Sequence, residues 1–203
     1  MRGRLALSAF VLAVSGLTGA ERAGLIPLGA VAASPHRFAQ GKYWLLFTNA
    51  LFADRPTALS LFALALFGAV ALAVCGSRVL WMAALVGHVG ATLVVYYSIA
   101  LVRIGHPNAF HSALSVQDIG VSAICAAWLG AVAAVAWRRS GRNGRLATVL
   151  ACAGIGLIAW MVRTDLTVLD ADHAVAFVVG IGIAGARLRL PRLRRATTSR
   201  TAV

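Results

Sequence analysis

Apolar residues in this chain come in long runs, and the charged residues fall between the runs. A helix that crosses a bilayer needs about 20 apolar residues, within a range of about 17 to 25. Six stretches meet or approach that length: 5–20, 56–76, 79–102, 119–137, 146–163 and 170–186. Only "CGSR" separates the second from the third, which predicts a tight hairpin. The fourth and fifth are joined by "RRSGRNGR", a polar, glycine-containing turn. Residues 21–55 form a long first loop, interrupted by Pro27 and Pro35. Its "YWLLF" at 43–47 offers Tyr43 and Trp44 as an interfacial aromatic anchor, so parts of the loop are expected on the membrane surface.

Composition supports this pattern. Of 203 residues, 60% are hydrophobic and only 12% charged, and mean hydropathy is +0.83. A soluble domain is about one quarter charged. The expected fold is therefore all-α and polytopic: residues 1–186 form a six-helix transmembrane domain, and 187–203 form a basic cytoplasmic tail. The N-terminal run also has the layout of a secretory signal peptide, whose cleavage would leave five spans with the same orientation.

The net charge of +13 changes the picture only once it is mapped onto the spans. With the N-terminus inside, 13 of the 19 basic residues fall on the inner side: Arg2, Arg4, Arg78, Arg138, Arg139, Arg142, Arg145 and the tail arginines. Arg22, Arg37, Lys42, Arg55, Arg103 and Arg163 fall outside, as do Glu21, Asp54, Asp118, Asp165, Asp170 and Asp172. That asymmetry places both termini in the cytoplasm. The charge is thus a topology signal, with attraction of anionic lipid to the tail as a secondary role. It does not mark a nucleic-acid surface, because it is not gathered on one polar face. An arginine-rich, lysine-poor chain suits a GC-rich bacterial genome, and hence the bacterial plasma membrane. Cys75, Cys125 and Cys152 lie in or beside apolar runs without metal-like spacing and read as packing residues.

Depth then brings two polar residues together. The fourth and sixth spans both start from the outer side. Ser122 is expected about one turn, ~5 Å, below the outer end of its span, and His173 in the first turns of the sixth. Each heads a stripe of small residues: Ser122, Ala126, Gly130 and Ala134 on one helix, and His173, Ala176, Gly180 and Ala184 on the other. Stripes of this period let membrane helices pack backbone to backbone. If they face each other, an imidazole meets a hydroxyl at the top of the contact, as an activated serine requires.

Other polar residues have quieter readings. "SVQD" is a capping-box pattern, with Ser115 as N-cap and Asp118 bonding back; the alternative has Asp118 orienting His173 as a third member. His88 lies about 14 Å from the inner end of the third span, too deep for the pair, and is expected to make a buried interhelical hydrogen bond. His106 and His111 flank Pro107 in a loop that offers no further ligands, so no metal site is expected there.

Three segments resemble the rhomboid family of intramembrane serine proteases. "GVSA", Gly120 to Ala123, is similar to that family's G-x-S-G at the start of the fourth helix. "HAVAFVVG", His173 to Gly180, is similar to its H-x-x-G-x-x-x-G in the sixth, and "YWLLFTNALF" resembles its W-R-x-x-T, retaining Trp44 and Thr48. The resemblance spans roughly residues 5–186. It implies a six-helix rhomboid-like bundle with a long first outer loop, Ser122 as nucleophile, His173 as general base, and no cofactor. The departures are Ala123 and Ala176 for glycines and Leu45 for the arginine. In the second helix Ala58 and Phe62 stand where active members carry a His-x-x-x-Asn pair that donates to the oxyanion. Losing one such donor costs about 10²–10³ in rate. The Ser122 backbone N–H remains, and Asn49, Asn108 and His111 are candidate donors from loops.

Two functions follow. One is a protease that cuts transmembrane segments of other membrane proteins. The other is an inactive rhomboid-like scaffold, similar in role to derlins, that binds client helices without cutting. A transporter is disfavoured, because no row of charged or polar residues defines a path through the spans.

Overall fold

The computed structural model describes residues 1–162 and 168–198; Arg163, Asp165 and Arg200 therefore lie outside the described residues. Six long helices carry the fold: α1 (Arg2–Arg22), α2 (Thr57–Cys75), α3 (Ser77–Gly105), α4 (Ser122–Arg139), α5 (Arg142–Val162) and α6 (Val168–Thr198). Among the described residues there is no strand, only an isolated bridge between Ala33 and Asp118. Three helices, α1, α2 and α3, are long and apolar enough to cross a membrane. The hairpin between α2 and α3 turns on Gly76, whose φ of +82° suits a residue without Cβ. Helix α6 does not stop at residue 186 but runs on through the basic stretch to Thr198.

Helix α4 sits at the centre. Its Ala123, Ile124, Cys125, Ala127, Trp128, Gly130, Ala131, Ala133 and Val135 are all buried, which accounts for so many small side chains in one element. Trp128 is the large exception; its indole Nε1 donates to the Leu80 carbonyl of α3 at 2.9 Å. Gly68 of α2 makes room for it, since a Cβ there would stand 2.9 Å from the Trp128 ring and 2.8 Å from Leu7 of α1.

The small-residue stripes on α4 and α6 do meet. A Cβ on Gly130 would strike the Phe177 carbonyl, and one on Gly180 would strike the Ala127 carbonyl. Gly180 is therefore seated on Ala127, one position along from the Ala126 that the fourfold spacing suggests. Ala126 is only partly buried, whereas Ala176 and Ala184 are fully buried on the α6 side. The shift by one reflects helix crossing: the stripe touches its partner at one place and diverges above and below.

The first loop is not simply laid on a surface. It folds into short helices, Leu28–Val31, Pro35–Ala39 and Leu45–Thr48, followed by a 3-10 turn at Asn49–Leu51. Tyr43 and Trp44 are 57% exposed. The next residues turn inward, and Leu45, Leu46, Asn49, Ala50, Phe52 and Ala53 are buried. His88 explains the capture. Its Nε2 lies 3.1 Å from the Leu46 carbonyl and 3.0 Å from Asn49 Oδ1. The predicted interhelical bond is thus a bond from a span to the loop. A carbonyl only accepts, so Nε2 carries the proton. The far end of the wedge is held by α1: Thr18 Oγ1 accepts the Ala53 N–H at 2.9 Å, and Arg22 Nη2 donates to the Ala53 carbonyl at 3.3 Å.

Candidate functional site

Ser122 is the first residue of α4, not one turn below its end. Gly120, with φ of +128°, stops the helix from starting earlier. His173 stands in the second turn of α6. Its Nε2 is 2.8 Å from Ser122 Oγ, across 51 residues of sequence. Both side chains are half-buried. The backbone contacts at Gly130 and Gly180 set the spacing of α4 and α6, and the two side chains bridge that spacing at the Ser122 end.

A third side chain reaches the pair, and it is not Asp118. Ser122 Oγ donates to Asp54 Oδ2 at 3.0 Å. Asp54 follows the clamped Ala53 at the end of the first loop. Gly120 is what admits it, because a Cβ on Gly120 would overlap the Asp54 carboxylate. The glycine of "GVSA" thus answers both to backbone conformation and to a carboxylate 66 residues upstream. Sequence reading did not single out Asp54. The available signal was a lone acid in "ADRP", immediately before the second apolar run.

Asp118 has neither of its expected roles as its main bond. The capping box does not form: Ser115 closes a 3-10 turn with its Oγ donating to Ser112 O at 3.3 Å, and α4 starts seven residues later. Residue 118 instead pairs in extended form with Ala33, through N–H to O bonds of 2.8 and 2.9 Å. Tertiary pairing with the loop outweighs the local cap. The Asp118 carboxylate accepts from Asn49 Nδ2 at 3.3 Å, and Gly120 N–H donates to the Asn49 carbonyl at 3.1 Å. Burial, and then the nearby charge of Asp54, push the Asp118 carboxyl up to about 7. Asn49 is therefore inside the assembly, joining Asp118 to His88, while Asn108, His106 and His111 are exposed. Asp172, beside His173, is buried.

The remaining positions fall away from the pair. Ala58 is exposed and Phe62 is 64% exposed, so the second helix presents no polar group at the counterpart positions. Ala123 is buried directly after the serine. Trp44 lies at the loop rim. Among the described residues no cluster of three His, Cys, Asp or Glu side chains is arranged to hold a metal ion. No family model, curated protein or solved structure matches the chain.

Chemically, the arrangement offers one hydroxyl between an imidazole nitrogen and a carboxylate oxygen. A hydroxyl has one proton to give. When it goes to Asp54, His173 Nε2–H donates into Oγ and the serine rests. When it goes to an unprotonated Nε2, Oγ becomes nucleophilic.

Proposed function

We propose that the chain is a rhomboid-like intramembrane serine protease of the bacterial plasma membrane, with six spans and both termini in the cytoplasm. The observation that carries this reading is the 2.8 Å approach of His173 Nε2 to Ser122 Oγ, between helices locked together at two glycines. Ser122 attacks the scissile carbonyl of a client transmembrane segment, and His173 accepts the Oγ proton. The imidazolium then protonates the leaving amine, and water, deprotonated by His173, releases the acyl group. The backbone N–H groups of the first turn of α4 have no intrahelical acceptors, which leaves them free to donate to the developing oxyanion. Basic residues at the inner ends and in the tail hold the orientation and attract anionic lipid.

A second reading is favoured by one feature. Asp54 sits on the serine, and Ala58 and Phe62 donate nothing, which suits a scaffold that holds client helices without cutting them. A fluorophosphonate probe applied to native membranes separates the two. The protease is expected to label, with labelling reduced at least about 10³-fold in both Ser122→Ala and His173→Ala. A folded wild-type chain that does not label, or that labels equally in His173→Ala, belongs to the scaffold reading.

A further inference from the structure

At the end of the bundle opposite Ser122, helices α4, α5 and α6 line a half-open cavity of about 1020 Å³. Trp137, Phe177 and Ile181 give it apolar walls, and Arg138, Arg139 and Arg145 give it three guanidinium groups. No carboxylate is present among the described residues that line it. The C-terminal dipole of α4 explains part of the attraction of Arg138 and Arg139 to this end, but a helix end carries only about half a charge. Three cations facing an apolar space call for a ligand that is anionic at one end and apolar along its length.

The geometry points to an anionic phospholipid bound here, its phosphate held by Arg138, Arg139 and Arg145 and its acyl chain laid against Phe177 and Ile181. Arginine is suited to this, because its planar fork takes two phosphate oxygens at once and is weakly hydrated. Ligand cavities are commonly about 300–1,000 Å³, so the volume fits a headgroup, glycerol and the upper part of the chains. Basic pockets between spans at headgroup level bind anionic lipid heads. Other occupants fit less well. A nucleotide base would compete for the Trp137 face over which the Arg145 guanidinium already lies, 5.5 Å from the ring centroid. The chain's own tail is basic and does not complement the arginines in charge. The site is independent of whether Ser122 reacts.

Trp137 makes the site readable. In the purified full chain, tryptophan fluorescence is measured with brominated phosphatidylglycerol and with brominated phosphatidylcholine. The quenching lost in Trp137→Phe is the signal from this cavity. That signal is expected at about fivefold or more lower phosphatidylglycerol than phosphatidylcholine. The preference disappears in Arg138→Gln/Arg145→Gln and persists in the tail variant Arg192→Gln/Arg194→Gln/Arg195→Gln. Equal quenching by the two lipids in the wild type overturns the proposal without relying on any variant. So does a preference abolished only by the tail variant, which assigns it to diffuse attraction. Displacement of the lipid by glycerol phosphate at equal concentration also overturns it, because the site would then bind a free phosphate.

Discussion

The two ends of the α4–α6 pair are built from the same helices and have opposite characters. At the Ser122 end, short side chains and hydrogen bonds close the gap: imidazole to hydroxyl at 2.8 Å, hydroxyl to carboxylate at 3.0 Å, and a loop wedged in beside them. At the Arg139 end, Trp137, Phe177 and arginines hold the helices around a cavity of about 1020 Å³. The glycine contacts lie between, at Gly130 and Gly180, and act as the fulcrum. What differs is side-chain volume and the presence of a plug. The closed end holds an imidazole and a hydroxyl within a hydrogen bond of each other, and the open end has room for a ligand.

The fulcrum is the first thing to break. Gly180→Val places a branched side chain against the Ala127 backbone, which cannot retreat without parting α4 from α6. The expected loss is about 3 kcal/mol or more, at the upper end for overpacking, read as a fall in Tm of about 6–12 °C. Probe labelling at Ser122 falls with it. Gly182→Val, two residues along the same helix with nothing within 4 Å of its Cβ, is the matched control and is expected to stay within about 0.5 kcal/mol. Equal behaviour of the two variants would mean that the helices do not touch at Gly180.

This contrast also shows what a sequence can carry. The meeting of Ser122 with His173 is legible in sequence because apolar run length and helical rise are local quantities, and both residues sit near the ends of their runs. The stripes work for the same reason, to within one residue. Asp54 was not legible, because its place depends on how 35 residues of loop fold back, and no periodicity reports that. The "SVQD" pattern misled for a related reason: a capping box is a local preference, and the bridge from Asp118 to Ala33 overrides it. The burial of His88 follows from its position within a long apolar run, but its partners, Leu46 and Asn49, belong to the same loop. The half of the site carried by long helices could be read; the loop-borne half could not.

Asp54 tests how the closed end is poised. The carboxylate competes with His173 for the Ser122 proton and places negative charge beside the oxygen that attacks in the proposed mechanism. Asp54→Asn keeps an oxygen to accept from Oγ and removes the charge. At the effective dielectric of a partly solvated site the relief is of the order of 1 kcal/mol, so labelling is expected to rise by about tenfold at most and still to require His173. A fall below wild type would instead place Asp54 in the proton-transfer path, making it part of the machinery rather than a brake on it.

The last effect concerns Asp118, which lies behind the pair and shares the closed end's burial. Its carboxyl is pushed up to about 7, first by burial and then by Asp54. The sign follows from linkage. In the unfolded chain the group ionises near its ordinary value of 3.8, whereas in the folded chain it holds its proton until about 7. Between those values the folded state binds more protons, so stability falls as pH rises through the window and levels off above it. Asp118→Asn retains an amide oxygen to accept from Asn49 and cannot ionise. Raising the pH from about 5.5 to about 7 is expected to cost the wild type about 1.5 kcal/mol more than it costs Asp118→Asn, a Tm difference of about 3–6 °C. Arg138→Gln, at the open end where no carboxylate lines the cavity among the described residues, should leave that pH slope unchanged. If both variants flatten it equally, the slope belongs to the net charge of the chain, and the closed end has no special claim on the proton.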